Sequence, residues 1–259
     1  MHNIGPWTLT IDIVNCEQFK FNPIRTVIII SYFTILMTTA LMNHPNEDNK
    51  TYSVKRIQDE LLVTGKGDSP MWKNAVELTD FIYPWNKENP PATSFRAIHS
   101  KDWIYFVYHV KDNSVNVFVD KKDKTDVLNS DRVEIFFKHE DNQLPYYGLE
   151  MDPLARVYDY KANFLRKFEP AWTWPEGQLI IKTSRTNEGY IVEIAISKAS
   201  LLQLGLLKNK TLQAGLYRGN CVNLVGNQAT FKWISWVKPD SATPDFHVPS
   251  SFGILLLED

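Results

Sequence analysis

The sequence lacks most of the features that mark the common enzyme and nucleic-acid-binding classes. It has only two cysteines, Cys16 and Cys221, which are too few for a disulfide framework. Its formal net charge is −2 and no run of lysine and arginine dominates a face, which excludes the usual footprint of a nucleic-acid-binding protein. There is no glycine-rich phosphate loop, no nucleophile elbow, no His-x-x-x-His metal motif and no c-type haem attachment motif.

Aromatic residues are abundant, with eight Trp, eleven Tyr and fourteen Phe. Hydrophobic residues make up 44% and charged residues 22% of the chain, which is ordinary for a folded globular protein. Aromatic rings fill the core of a β-sandwich, and they also form the stacking surfaces on which sugars bind. The composition therefore predicts a folded protein and leaves both uses of the rings open.

Residues 26–42 form an uncharged apolar run, TVIIISYFTILMTTALM, with small residues before Ala40. The run predicts a signal peptide cleaved near Ala40 and hence a secreted, periplasmic or cell-surface protein. It is also close to the ~20 residues of a membrane span, so an uncleaved membrane anchor is the alternative. Asp12 and Glu17 are unusual before such a run and indicate that Met1 is not the native start; a start at Met42 would leave a cytosolic protein.

Residues 43–50, NHPNEDNK, are polar and predict a linker, which leaves residues 51–259 as one domain. Short alternating segments separated by turn residues recur along this domain, with few helical patterns. This pattern predicts an all-β fold, a jelly-roll or immunoglobulin-like sandwich with a few short helical turns. The clearest predicted strands are Thr93–His99, Trp103–Val110, Val115–Val119, Gly189–Ile196 and Thr230–Val237, with short helices within residues 71–78 and 200–207.

Two further segments, Ser130–Lys138 and Tyr146–Asp152, each predict a strand with two different faces. We expect the two strands to pair, with one apolar row on the core and one charged row on an open surface. The apolar row comprises Val133, Ile135, Phe137, Tyr147, Leu149 and Met151, and the other row comprises Arg132, Glu134, Phe136, Tyr146, Glu150 and Asp152.

The charged row combines a cation, carboxylates and aromatic rings, the groups that bind sugar hydroxyls and the C–H faces of sugar rings. Arg218, on the predicted strand Gln213–Val222, is expected to point into the same face beside Glu134. The alternative is an ordinary solvated sheet face, because antiparallel sheets often expose one side to water.

Six motifs follow one another along residues 52–258: GKGDSPMW, WIYFVYHVKD, SDRVEIFF, GYIVEIAI, ISW and PSSFGILLLE. This ordered set resembles the family-nine carbohydrate-binding modules and their bacterial, secreted, DOMON-like relatives. The resemblance implies a jelly-roll-like sandwich that binds polysaccharides or oligosaccharides without cleaving them. It also implies a role in polysaccharide catabolism beside glycoside hydrolases, and in some members structural Ca²⁺.

The family binds its sugar between two tryptophans, and the resemblance carries this site over only in part. The second tryptophan corresponds to Phe246, whereas the first falls near Val127 and Leu128, where there is no aromatic residue. Glu134 is retained, but Glu150 and Asp152 stand where the family has Arg and Asn. Replacement walls are available in Tyr146 and in Trp172 and Trp174, which would otherwise cap the sandwich. Glu150 and Asp152 beside Glu134 are also candidate oxygen ligands for Ca²⁺.

Three other functions remain open from the residues. Glu134 with Glu150 or Asp152 supplies the two carboxylates of a glycoside hydrolase. Met151 with His109 or His247 supplies axial ligands for a haem-binding sandwich. A sandwich that serves only as a protein-interaction module is the third. A membrane partner is expected only through the N-terminal segment.

Overall fold

The computed structural model describes residues 50–164 and 166–259. The predicted signal peptide or anchor, and all of the predicted linker except Lys50, lie outside the described residues. Within the described residues, no helix is both long enough and apolar enough to cross a membrane.

The described chain forms twelve β-strands and one short α-helix, together with three 3-10 turns. In chain order the strands are β1 (Thr51–Arg56), β2 (Thr93–His99), β3 (Trp103–Lys111), β4 (Arg132–Lys138), β5 (Tyr146–Met151), β6 (Val157–Asn163), β7 (Lys167–Glu169), β8 (Leu179–Thr186), β9 (Gly189–Ser197), β10 (Thr211–Val225), β11 (Gln228–Ser235) and β12 (Gly253–Leu257). The helix α1 spans Lys198–Gln203, and the 3-10 turns span Pro70–Asn74, Lys124–Asn129 and Pro249–Ser251.

Strand β1 connects the two halves of the sheet. Its first residues pair in parallel with β12, in the half ordered β7-β6-β5-β4-β10-β12, and β11 pairs with β10 beside that path. Its last two residues, Lys55 and Arg56, pair with Ile98 and His99 of β2, in the half ordered β2-β3-β9-β8. The chain therefore passes from one half to the other within a single strand.

The main hydrophobic core lies between the two halves. Phe106 of β3 and Phe137 of β4 approach to a centroid distance of 6.4 Å, and Tyr108 donates a hydrogen bond to the Glu134 carbonyl. Both halves contribute alternate side chains to this one core, as the two-residue period of a strand requires. All six residues of the predicted apolar row of β4 and β5 belong to it. The predicted all-β sandwich with short helical turns is confirmed.

The predicted strand Val115–Val119 is wrong, since the segment has no strand pairing. Two of its backbone donors are satisfied by side chains: Asn116 N–H donates to Asp131, and Phe118 N–H donates to Ser130 Oγ. The predicted helix within residues 71–78 shrinks to the 3-10 turn Pro70–Asn74, because Ala75 already has an extended backbone.

A separate aromatic cluster covers the other face of β4, β5 and β10. The segment before β12 folds back over this face and places Phe246 and Phe252 on it. The expectation that the charged row lies on an open surface is therefore wrong. Arg132, Glu134 and Glu150 are only 4%, 2% and 5% exposed. The alternation correctly separated the two faces, but it gave no information about a later segment that covers one of them.

Candidate functional site

A cavity of about 120 Å³ lies on the covered face, between β4 and β5 and the segment that folds over them. We call it the aromatic cavity. Its lining combines indole and phenyl rings with charged groups: Trp85, Arg132, Glu134, Glu150, Arg166, Trp233, Pro244, Asp245, Phe246 and His247.

Three charged residues form the base of the aromatic cavity. Glu134 of β4 and Glu150 of β5 lie directly opposite each other in the antiparallel register, so their side chains share one face. Arg132 lies two residues before Glu134 and faces the same way. Its Nε is 2.9 Å from Glu134 Oε1 and 2.6 Å from Glu150 Oε2.

Glu134 and Glu150 both face the Nε–H of Arg132, which can donate only one good hydrogen bond. A single N–H donates one hydrogen bond well, and neither close contact has hydrogen-bond geometry, so Glu134 Oε1 and Glu150 Oε2 keep unused acceptor capacity. Burial and the neighbouring Glu150 carboxylate raise the pKa of Glu134. Burial also raises the pKa of Glu150, against the lowering effect of Arg132. The base therefore favours a state in which the two carboxyl groups share a proton.

The Arg132 guanidinium also holds one wall of the cavity. Its Cζ lies 4.9 Å from the centroid of Phe231 and 5.2 Å from that of Trp233, both on β11. Strand β10 runs between β4 and β11, and Gly219 pairs with Arg132 on one side and with Trp233 on the other. A Cβ at Gly219 would lie 3.2 Å from Arg132 Nη1, so the glycine allows Arg132 to reach Trp233 across β10.

Phe246 is in contact with both tryptophans that line the cavity. Its ring lies flat on Tyr217, with a centroid distance of 4.2 Å and an interplanar angle of 14°. Trp233 meets it edge to face at 5.8 Å, and Trp85 lies tilted at 5.4 Å. Trp85 Nε1 donates to the Ser241 carbonyl, which fixes the indole against the covering segment. Both indoles are partly exposed, whereas Phe246 is 5% exposed.

An ion pair and a neutral histidine complete the rim. Arg166 and Asp245 approach to 3.0 Å, which joins the β6–β7 turn to the covering segment. His247 stacks on Phe136 at 5.4 Å and its Nδ1 lies 2.9 Å from Tyr146 Oη. Burial lowers the pKa of His247 to about 4, so the ring is neutral near pH 7.

The structure places four of the residues predicted for the site in the lining: Arg132, Glu134, Glu150 and Phe246. Tyr146 lies behind the lining and supports His247 rather than forming a wall. The other three predicted residues, Asp152, Arg218 and Trp174, lie elsewhere.

Asp152 belongs to a separate polar cluster. Its carboxylate accepts hydrogen bonds from the backbone N–H groups of Leu154 and Arg156 and from the Arg156 side chain. Arg156 also pairs with Asp126 at 3.2 Å. Asp152 therefore does not line the aromatic cavity, and its acceptor sites are taken by the adjacent turn and by a guanidinium.

The proposed Ca²⁺ ligands do not fit a calcium site. Ca²⁺ takes six to eight oxygen ligands, but Glu150 faces Arg132 and Asp152 faces Arg156. Among residues 50–164 and 166–259, no group of three or more histidine, cysteine, aspartate or glutamate side chains converges as a metal site would require.

Arg218 lies on the opposite face of the sheet from Glu134, which corrects the expectation that it enters the site. It is fully buried, its Nη2 lies 2.6 Å from Asp112 Oδ2, and its Nη1 donates to Thr93 Oγ1 and to the Lys111 carbonyl. The reason is alternation, because Tyr217, not Arg218, pairs with Glu134 and shares its face.

Trp174 is not a wall of the aromatic cavity but part of the main core. Its ring packs on Phe137 at 6.2 Å, and its Nε1 donates to Ser200 Oγ. Trp172 packs on Tyr147 at 4.9 Å. Of the two interpretations of this pair, the structure supports capping of the sandwich.

The residues considered for haem do not converge. Met151 is fully buried in the main core, whereas His247 lines the aromatic cavity on the other face of the sheet. His109 is on β3, in the other half of the sandwich. This arrangement gives no support to a haem site built from them.

Six residues of the lining were not predicted for the site: Trp85, Arg166, Trp233, Pro244, Asp245 and His247. Phe231 and Trp233 share one face of a predicted strand, but this pattern does not show that the strand pairs with β10. The other five lie outside the strands, where no periodicity indicates which residues meet.

Comparison with known proteins assigns the chain to a family. The model of the family described as "Carbohydrate family 9 binding domain-like" matches residues 63–259. No curated protein sequence matches the chain. A proposed carbohydrate-binding protein from Bacteroides uniformis ATCC 8492 superposes with a TM-score of 0.65 at 22% identity, covering 81% of this chain and all of that one.

Two structures of a family 9 carbohydrate-binding module from Caldicellulosiruptor kristjanssonii also share the fold. The complex with glucose has a TM-score of 0.53 at 18% identity and covers 81% of this chain and 96% of that one. The complex with cellotriose has a TM-score of 0.53 at 14% identity and covers 81% and 94%. These structures show the fold that the chain adopts, while the family assignment rests on the match over residues 63–259. The chain therefore belongs to the carbohydrate family 9 binding domain-like family.

Proposed function

We propose that the chain is a non-catalytic carbohydrate-binding protein and that the aromatic cavity binds the sugar. The observation that carries the proposal is the pair of buried acceptor atoms at the cavity base, Glu134 Oε1 and Glu150 Oε2. They lie close to Arg132 Nε but make no hydrogen bond of good geometry among the described residues. Buried polar atoms are almost always hydrogen-bonded, so unused ones in a cavity favour a ligand that donates. Sugar hydroxyls are such donors.

The walls of the aromatic cavity can contact the apolar face of a sugar ring. The rings of Trp85 and Trp233 can pack against the C–H face of a pyranose, while the charged base binds its hydroxyls. Similar structures that contain glucose and cellotriose support a saccharide as the ligand. Glucose and β-linked glucose oligomers are therefore the first ligands to test.

A second candidate function is glycoside hydrolysis by Glu134 and Glu150. One observation favours it: both carboxyl groups have raised pKa values, as a general acid needs near neutral pH. However, Arg132 contacts both carboxylates, and a scissile bond would have to displace it from between them. We therefore prefer binding, and the same experiment distinguishes the two functions.

The test is calorimetric titration of the full chain with glucose and with cello-, xylo-, manno-, rhamnose- and uronate-containing oligosaccharides, with a reducing-end assay on each mixture. We expect saturable binding without release of reducing ends. Glu150→Gln should weaken binding about tenfold or more, because a hydrogen bond to a charged group contributes about 1.5–3 kcal/mol. Glu169→Gln, an exposed change on β7, is the matched control.

Release of reducing ends that disappears in Glu150→Gln would overturn the binding proposal in favour of hydrolysis. An equal affinity for the sugar in Glu150→Gln and Glu169→Gln would show that the aromatic cavity does not bind the sugar.

We further propose that the protein serves polysaccharide breakdown outside the cytoplasm, beside glycoside hydrolases. The uncharged run at residues 26–42 and the family assignment support this role. Fractionation of cells that express the full chain is the test: recovery in the periplasm, medium or cell surface agrees with the proposal, and recovery only in the cytosol contradicts it.

A further inference from the structure

A second cavity, of about 330 Å³, lies where β1 passes from one half of the sandwich to the other. We call it the basic cavity. It has no lining residue in common with the aromatic cavity. Its lining comes from β1, the end of β2, the start of α1, the turn before β10 and the end of the chain. Its charged residues are Arg56, Lys101, Lys198, Lys210, Glu258 and Asp259.

The basic cavity has more cations than its own acids neutralise. Its two acidic residues are already paired, Glu258 with Lys55 at 2.6 Å and Asp259 with Lys210. The remaining cations are Arg56, Lys101 and Lys198. Within residues 50–164 and 166–259, none of these three makes a salt bridge with a carboxylate.

The Lys198 ammonium is held in a fixed position at this cavity. Its Nζ donates to the Ser100 carbonyl at 2.6 Å and lies 2.9 Å from His99 Nδ1. His99 Nε2 lies 2.8 Å from the Glu258 carbonyl, so a proton on Nε2 leaves Nδ1 free to accept from Lys198. Two neutral acceptors thus orient the ammonium, and neither of them carries a negative charge.

Two carboxylates outside the lining, Asp102 and Glu60, offset part of the Lys198 charge without forming a salt bridge with it among the described residues. Glu60 accepts hydrogen bonds from Ser100 Oγ at 2.9 Å and from Tyr105 Oη, and it does not line the cavity. Burial lowers the pKa of Lys198 most, and repulsion by the nearby Arg56 charge lowers it further, against the raising effect of Asp102 and Glu60. A bound anion would relieve that repulsion.

We propose that the basic cavity is a binding site for a small oxyanion, which Arg56, Lys101 and Lys198 contact directly. The shared chemistry is a phosphoryl, sulfuryl or carboxylate group. Arginine binds two oxygens of such a group through parallel N–H donors, and lysine acts as a point charge beside it. The site is separate from the proposed sugar site, and neither depends on the other.

The test uses the full chain at constant ionic strength, titrated by calorimetry with inorganic phosphate, sulfate, glucuronate and glucose. Two-dimensional NMR of the His99 ring and of the Asn209 and Lys210 amides locates the binding. We expect saturable binding of at least one oxyanion but not of glucose at this cavity. Lys198→Gln and Arg56→Gln should each weaken it about tenfold, and the exposed change Lys73→Gln should not.

The three anions separate the sources of the oxyanion. Binding of phosphate and sulfate alone assigns the site to tetrahedral groups, and binding of glucuronate as well extends it to sugar acids. No saturable binding of any anion, or the same affinity in Arg56→Gln and Lys73→Gln, overturns the proposal. Arg56 is exposed, so its variant remains informative if Lys198→Gln does not fold. The two sites are tested separately, because they share no lining residue: Trp233→Ala should leave anion binding unchanged, and Arg56→Gln should leave sugar binding unchanged.

Discussion

At the scale of single residues, Arg132 determines the chemistry of the aromatic cavity because it faces two carboxylates at once. Two carboxylates and one guanidinium, all buried, carry an uncompensated negative charge unless one carboxyl group is protonated. Burial and Glu150 raise the pKa of Glu134 to about 8, well above its ordinary value of 4.5. At a pH between 4.5 and about 8, the native protein therefore holds a proton that the unfolded chain has already released.

This proton predicts a pH dependence of stability. An acid whose pKa is raised on folding stabilises the native state most below its unfolded pKa, and this contribution is lost as the pH rises through the folded pKa. Glu134→Gln cannot lose that proton. We expect the melting temperature of the wild type to fall relative to Glu134→Gln between pH 5 and pH 8, by on the order of 5 °C.

Thermal denaturation across this pH range tests the prediction. Glu140→Gln, at an exposed ion pair with Lys208, is the control and should follow the wild type. Parallel curves for the wild type and Glu134→Gln would show that the buried pair holds no proton.

Arg218 gives the second prediction at this scale. Arg218→Met removes the partner of Asp112, which is 10% exposed, and leaves that carboxylate close to unpaired. Losing one partner of a buried ion pair costs about 3–5 kcal/mol of unfolding free energy. Urea denaturation should show this loss, whereas sugar affinity in the folded fraction should stay unchanged. A large loss of affinity without a loss of stability would return Arg218 to the binding site.

At the scale of strands, pairing explains which residues meet and which do not. Alternation along β4 and β5 predicted both faces correctly, because the period of a strand is two and one face had to be apolar. Alternation could not predict that β11 lies beside β10, and so it missed Trp233. Long-range pairing of this kind depends on the whole topology and leaves no local mark in the sequence.

The tryptophan predictions can be separated by one matched pair of variants. Trp233→Ala removes a wall of the aromatic cavity and the ring that packs on Arg132, so we expect sugar affinity to fall about tenfold, which corresponds to about 1.4 kcal/mol. Trp172→Ala removes a partly buried indole that does not line the cavity and should leave the affinity unchanged. Calorimetric titration of both variants shows which of the two indoles contacts the sugar. A loss in Trp172→Ala alone would restore the Trp172–Trp174 pair as the sugar platform.

Gly148 on β5 gives a prediction about packing. It pairs with Tyr160 of β6, and a Cβ at this position would lie 2.2 Å from Tyr160 Cζ. The Tyr160 ring is fully buried against Phe136, so it cannot move aside freely. We expect Gly148→Ala to lower the free energy of unfolding by about 1–3 kcal/mol, as overpacking does. An unchanged urea midpoint would mean that the aromatic cluster repacks around the methyl group.

At the scale of the whole molecule, the sequence predicted the sandwich and its core better than the site. The core follows from the period of many strands, each of which supports the others, so a single error such as Val115–Val119 does not change the architecture. The site depends on one segment, which folds back over a sheet face and carries Asp245, Phe246 and His247. That closure buries Arg132, Glu134 and Glu150, and it turns a predicted open surface into a cavity.

We propose that the aromatic cavity, which Trp85 and Trp233 line, binds the sugar. The most direct measurement is an NMR titration of the full chain with cellotriose and with the other oligosaccharides, following the indole N–H signals of the eight tryptophans. We predict that the signals of Trp85 and Trp233 shift saturably, while those of Trp172 and Trp174, which lie at the cap and in the core, do not. Saturable shifts at Trp172 and Trp174, with Trp85 and Trp233 unmoved, would contradict the account.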